Sequence, residues 1–477
     1  MVFTSLNFLI FFPLVTIAYW LTPAKYRWVT LLAASYFFYI NLKPVFALLL
    51  AFVTFSTYFF TNLIDASPVE SKKKMYMIIN VILILVPLFF FKYFASINRG
   101  IFSILELTHV RWPLPDIKWV LPVGISFYTF MAVGYTIDVY NEEIQAEKNI
   151  GILALFISFF PLLLSGPIER AKNMLPQFNN PAVINYTEII KGLKLMLWGY
   201  FMKLVVADRV GMYVDAIYSH IPQHNGTSLL FTAFLYPFQV YADLGGYTLI
   251  AIGTAKAMGI KVMPNFKRPF FATSMSEFWR RWHISLITWL TDYVYTPISF
   301  SFRKYKMWGI VISLMITFFI SGLWHGAALT FIVWGLMQGI FLSIEALTAK
   351  RRTAFENKFR LPTKAWYILL TCALTFILFA ASQIFARSES FNDAKLFYSK
   401  IFTSHGSLYM DMTTLSYSIF GLTILFLKDF MDEYFPGRIL LFENNNIIVR
   451  YTSYLVVFFL IITIGVLDNS QFIYFQF

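Results

Sequence analysis

Residues 308–347 read WGIVISLMITFFISGLWHGAALTFIVWGLMQGIFLSIEAL. Two apolar runs, 308–321 and 327–347, meet at a short polar break that carries one ionisable side chain, His325. A bilayer-spanning helix needs about 20 mostly apolar residues, and an ionisable group beside such runs is costly. Gly322 and Gly326 flank the histidine and permit a helix break or a close backbone approach. The stretch therefore reads as two apolar membrane runs with His325 at the break between them.

The rest of the chain follows the same pattern. Of 477 residues, 58% are hydrophobic, 20% aromatic and 13% charged. A soluble domain is about half apolar and about a quarter charged. This composition excludes a soluble multidomain protein, a disordered or collagen-like chain and a disulfide scaffold, and leaves a multi-spanning membrane protein. Further apolar runs lie near 4–22, 27–42, 44–64, 75–95, 119–140, 150–166, 190–208, 229–257, 366–386, 415–431 and 451–467. Several are short, and Pro122, Pro161, Pro237 and Pro297 interrupt others. The expected architecture is all-α: about ten to twelve transmembrane helices plus re-entrant or interfacial helices. They form one integral-membrane domain over 1–477, ending in an aromatic motif at 471–477.

The net charge of +13, from 38 Lys and Arg against 25 Asp and Glu, sits in short loops. It fits the positive-inside bias rather than nucleic-acid binding. Residues 1–24 contain no Lys or Arg, so the first run lacks the basic start of a signal peptide and reads as a reverse anchor with the N-terminus outside. Residues 348–364 carry Lys350, Arg351, Arg352, Lys358, Arg360 and Lys364 against Glu356 and read as cytoplasmic. Residues 387–414 are charge-balanced and read as external, which puts the C-terminus outside too; 141–190 does not fix its own side. The single cysteine, Cys372, allows neither an internal disulfide nor a thiolate metal cluster. No loop reaches domain size, so any active site lies in or beside the membrane layer.

His325 is the sharpest candidate. Histidine has an unperturbed pKa near neutrality and suits general-base work; the simpler alternative is a histidine hydrogen-bonded inside a bundle. The second candidate is the stretch 274–292. Ser274 and Glu277 have capping-box spacing, and Trp279, His283, Ile287 and Leu290 then share a helix face, with Arg280 and Arg281 beside it. A basic helix rich in tryptophan anchors at a membrane interface, and its arginines can also receive an anionic donor such as a CoA phosphate. Asp138, Asp208 and Asp243 lie at or within runs, where local pairs such as Asp208 with Arg209 or Glu169 with Arg170 account for charge equally well. Metalloprotease, serine-hydrolase and P-loop spacings are absent, and no metal site is expected. The terminal Gln471–Phe477 segment is aromatic, with Tyr474 its only hydroxyl. It either packs at the bilayer interface or inserts into the protein.

Five segments occur in a recognisable order: Pro122–Tyr128 (PVGISFY), Ser165–Arg170 (SGPIER), Tyr241–Tyr247 (YADLGGY), Phe278–His283 (FWRRWH) and Ser321–Ala327 (SGLWHGA). In these the chain resembles the membrane-bound O-acyltransferases, most closely the bacterial branch of alginate O-acetylation and teichoic-acid D-alanylation. It departs from them at Leu244-Gly245-Gly246, where relatives often carry Phe-Ser-Gly, which removes a hydroxyl near Asp243. The resemblance implies a ring of tilted helices around a central tunnel. It makes His325 the principal catalytic residue and His283 a second functional position. Arg280, Arg281, Trp324 and Asp243 are expected at donor-binding or tunnel positions. The tail is similar to the C-terminal motif of a small companion subunit of teichoic-acid D-alanylation, which makes Tyr474 a candidate acyl relay.

The resulting expectation is an O-acyltransferase of the bacterial inner membrane. It moves an acyl group, most simply acetyl, from a cytoplasmic thioester to a hydroxyl on an extracytoplasmic envelope polysaccharide. The donor is acetyl-CoA or another acyl-CoA, or an acyl carrier protein, and no bound cofactor is needed. A separate extracytoplasmic transferase is the expected protein partner, alongside membrane lipids. The competing reading is a proton-coupled transporter or flippase that uses His325 and the aspartates as a path.

Overall fold

The computed structural model describes residues 1–106, 121–437 and 441–467. Helix accounts for 79% of the structure, and no strand occurs among the described residues. The elements used below are α1 (Pro44–Ala66), α2 (Glu70–Glu106), α3 (Gly226–Ala257), α4 (Met275–Arg281), α5 (Ile284–Leu290), α6 (Met307–His325), α7 (Leu329–Lys358), α8 (Ala365–Arg387), α9 (Met412–Tyr434) and α10 (Ile447–Ile464). Seven of them, α1, α2 and α6 to α10, are long and apolar enough to cross a bilayer. The protein is a multi-pass membrane protein. On α10, Leu455, Phe459 and Ile462 are each more than half exposed, a surface that hydrocarbon solvates and water does not.

Among the described residues seven helices reach that length and apolarity, against the ten to twelve spans read from hydropathy, and the shorter helices have a physical cause. The runs near 4–22 and 27–42 form helices of 16 and 14 residues, Leu6–Leu21 and Arg27–Ile40. The run at 150–166 breaks at Phe159 into Ile150–Ser158 and Phe160–Leu163. Helix Ile125–Tyr140 is buried along nearly its whole length. A helix enclosed by other helices is apolar without having to match the bilayer thickness, so hydropathy alone overcounts spans.

The chain folds as two compact units. The first comprises Met1–Leu193 with Ala251–Met263; the second comprises Lys194–Ile250 with the described residues from Pro264 onward. In the first unit, buried Asn80 on α2 accepts from Ser56 of α1 and donates to Thr136 of helix Ile125–Tyr140, both at 2.8 Å. One amide thus links three helices in a medium with few other polar partners. The segment Pro122–Tyr128 opens helix Ile125–Tyr140 through Gly124, whose φ is +80° and whose absent Cβ would fall 2.2 Å from the Leu163 carbonyl. Nearby, Glu169 of the Ser165–Arg170 segment accepts from the Met263 and Arg170 amides and from Asn173.

In the second unit, α6 and α7 form an antiparallel pair at near-contact distance. A Cβ on Gly335 would lie 2.3 Å from the Phe318 carbonyl and 3.0 Å from Cα of Gly322. Two glycines facing each other let the backbones touch one turn before His325.

Candidate active site

The site is built at the turn between α6 and α7 and at the break between α4 and α5, all within the second unit. α6 ends at His325, where Gly326 becomes extended (φ −170°). The chain reverses over Gly326–Ala328, so Phe331 and Trp334 of α7 come back over the imidazole. The His325 ring, half-buried, lies 4.8 Å edge-on from Trp334, 4.7 Å from Trp324 and 6.3 Å, nearly parallel, from Phe331. Trp279 of α4 extends this aromatic wall, 6.1 Å from Trp334 and 5.1 Å from Phe318.

His283 joins the same cluster. It is 1% exposed, and its ring lies 6.3 Å from Trp324. Trp324 therefore touches both imidazoles, and the separation of the two rings is bounded by those two contacts. Burial drives the His283 pKa down to about 3, so the ring is neutral at physiological pH and acts as a polar hydrogen-bonding group rather than a cation.

The continuous helix expected over 274–292 is not formed. Its start is as read: Ser274 Oγ accepts the Glu277 amide at 3.1 Å, and Glu277 accepts the Thr273 amide at 2.8 Å. The helix then stops at Arg281 because residues 265–267 take its backbone groups. The Lys267 amide donates to the Arg281 carbonyl (2.9 Å), and the Ile284 amide donates to the Asn265 carbonyl (2.8 Å). His283 sits in the gap in a left-handed conformation (φ 47°, ψ 49°), and α5 follows. The stretch is consequently a buried wall, with Trp279, Trp282 and His283 all enclosed, instead of a surface anchor.

Arg281 is committed to carboxylates, at 2.6 Å from Glu277 and 2.9 Å from Glu433, and Arg268 reaches Glu433 at 2.7 Å. Arg280 is exposed on the neighbouring position. Asp243 belongs to a different cluster. It pairs with Lys203 at 2.6 Å, and Lys203 also holds Asp208 at 2.7 Å; Lys203 and Asp243 are buried and Asp208 is partly so. Asp208 is thus a partner of Lys203, and Glu169 both accepts the Arg170 backbone amide and feels the charge of that arginine. Lys203 lies on a π-helical turn, Phe201–Ala207, a widening often found where function constrains a helix. Tyr474 lies outside the described residues.

Sequence reasoning missed Trp334, Asn265, Lys203 and Glu433. Trp334 was legible in principle, nine residues beyond His325 on a run already read as helical. Among the described residues, the indole N–H groups of Trp279 and Trp334 and the hydroxyl of Thr330 are buried with no hydrogen-bond partner. Two of these groups, on Thr330 and Trp334, lie on the helix that follows His325, and buried polar groups of this kind call for a partner.

A family model for MBOAT, the membrane-bound O-acyltransferase family, matches residues 148–386, which contain every element of this site. The "Probable alginate O-acetylase AlgI" of Pseudomonas aeruginosa is 35% identical over 412 residues, 84% of this chain and 75% of its own. The peptidoglycan O-acetyltransferase of Helicobacter pylori is 31% identical over 392 residues, covering 76% and 71% of the two chains. The teichoic acid D-alanyltransferase of Bacillus subtilis is 27% identical over 278 residues, covering 57% and 69%. Matched by this family model over half its length, and 35% identical to a relative that it covers to three quarters, this chain belongs to the membrane-bound O-acyltransferase family.

Proposed function

We propose that this acyltransferase moves an acetyl group from a cytoplasmic thioester to a hydroxyl of an extracytoplasmic envelope polysaccharide, with His325 as general base. Family membership favours transfer over transport. The names of the relatives support a polymeric envelope acceptor, and those above 30% identity are O-acetylating proteins, which favours acetyl over alanyl. The observation that carries the reading is the His325 ring walled by Trp324, Phe331 and Trp334 with a neutral His283 across Trp324.

The chemistry balances within that cluster. His325 takes the proton as the hydroxyl oxygen attacks the thioester carbon. The C–O bond forms, the C–S bond breaks, and the imidazolium returns its proton to the departing thiolate. An alcohol becomes a competent nucleophile only with such a base, and an aromatic wall suppresses hydrolysis by keeping water out. His283, neutral, donates a hydrogen bond from its ring N–H to the donor's carbonyl oxygen. The orphaned N–H groups of Trp279 and Trp334 and the Thr330 hydroxyl supply further polar contacts to the donor. Arg280 is the exposed candidate for its phosphates, since Arg281 is held by two carboxylates. The donor is acetyl-CoA or an acetylated carrier protein.

In the same reading the protein lies in the bacterial inner membrane with both termini outside. Tyr474 receives the acyl group as an aryl ester and passes it outward, to the polysaccharide directly or through an extracytoplasmic transferase. A phenol, with its pKa near 10, ionises far more readily than a sugar hydroxyl. Mass spectrometry of envelope glycans from the parent, a deletion strain and Tyr474→Phe tests this. The reading expects O-acetyl groups to vanish in the deletion and to fall in Tyr474→Phe. Unchanged acetylation in the deletion refutes the function; unchanged acetylation in Tyr474→Phe alone refutes only the relay.

A further inference from the structure

We propose that Asn265 is the positioning residue for His283: it builds the break in which that histidine sits and fixes the direction of its side chain. The inference rests on the role given to His283 above. Asn265 lies in the 264–274 connection, far from both histidines in sequence, and is 1% exposed. It uses its backbone and its side chain on the two residues that follow His283. Its carbonyl accepts the Ile284 amide at 2.8 Å. Its Oδ1 accepts both the Ser285 amide (3.1 Å) and the Ser285 hydroxyl (2.9 Å). Its Nδ2 donates to Thr248 Oγ1 of α3 at 3.3 Å, which anchors the amide and sets which end faces Ser285.

The consequence for His283 is geometric. A residue with a Cβ holds a left-handed conformation only where its surroundings over-determine it. Here the peptide before the break is tied by the Lys267 amide to the Arg281 carbonyl, and the peptides after it are tied by Asn265. With both sides fixed, φ 47° and ψ 49° at His283 are imposed, and its ring is delivered to within 6.3 Å of that of Trp324. Asn265 also caps the start of α5, because Oδ1 occupies an amide that the first turn of a helix leaves unpaired. An asparagine serves both ends at once: one acceptor oxygen for Ser285 and one donor nitrogen for Thr248.

Transfer of radiolabelled acetyl from acetyl-CoA to envelope glycan, in inside-out membrane vesicles carrying the full chain, tests the assignment. Asn265→Ala is expected to lower the maximal rate about 10²-fold, the cost of misplacing a reacting group by roughly 1 Å, with KM for acetyl-CoA within about threefold. In a His283→Ala background the same change is expected to remove less than about threefold more, because residues that act as a unit are not additive. Asn265→Asp, which keeps the oxygen that holds Ser285, is expected to retain at least about a third of the rate, whereas Ser285→Ala loses several-fold.

Asn265→Ala at the parental rate overturns the proposal, and so does an equal loss in the parent and in the His283→Ala background. Should Asn265→Ala fail to accumulate, the other two variants decide: Ser285→Ala at full rate, or Asn265→Asp as damaging as Asn265→Ala, overturns it. A parent that transfers no label refutes the functional reading itself, and His283→Ala at full rate refutes the role given to His283; these two controls separate such failures from a failure of the Asn265 assignment.

Discussion

Gly335→Ala tests how closely the α6–α7 approach governs the site. The new methyl group would lie 2.3 Å from the Phe318 carbonyl and 3.0 Å from Cα of Gly322, whereas ordinary contact begins at 3.4 Å. Both obstacles are backbone, so no side chain can swing away. α7 must move from α6 by about 1 Å, and Trp334, one residue before Gly335, moves with it relative to His325 on α6. Overpacking of this kind costs about 1–3 kcal/mol of stability. A 1 Å displacement of a site wall costs up to about 10²-fold in rate. The assay pairs the thermal midpoint of the detergent-solubilised protein with acetyl transfer in vesicles. A lowered midpoint together with a loss of at least about tenfold in rate is expected. A variant with parental midpoint and parental rate would show that the two helices are not in register-defining contact, and the geometric argument fails.

Two further outcomes follow from buried charge. Because the pKa of His283 falls from 6.5 to about 3 in the folded protein, the unfolded chain binds the extra proton between those values. Parental stability should therefore decline as pH falls from about 6.5 towards 3, and His283→Gln should lack that component when thermal midpoints are measured across the range. Lys203→Met leaves buried Asp243 and partly buried Asp208 without their shared cation and is expected to cost about 3–5 kcal/mol. Adding Asp243→Asn should restore part of the lost midpoint, and a Lys203→Met protein as stable as the parent would remove the triad's structural role.

What the sequence made legible was whatever depends on local pattern. The apolar runs announced a polytopic helical protein, the Gly322-x-x-His325-Gly326 break marked the turn, and Ser274 with Glu277 marked the start of α4. What it hid depends on partners far along the chain. The break at Trp282–His283 is invisible in a segment with good helical periodicity, because its cause is hydrogen bonding from Asn265 and Lys267. Arg281 looked available for an anion until Glu433, 152 residues away, was seen against it. Asp243 closes an ion triad with Lys203 and Asp208, and the position of Lys203 in an apolar run carried no sign of its two partners.

The central claim is that His325 is the base of an acyl transfer. Labelled acetyl-CoA supplied to inside-out vesicles of the parent and of His325→Ala, at equal protein level and with equal thermal midpoints, tests it directly. The account predicts a loss of about 10²–10⁴-fold in label reaching envelope glycan, the usual cost of removing a general base. A His325→Ala protein that transfers acetyl within about threefold of the parent contradicts it, because no positioned base would then be needed at the α6–α7 turn.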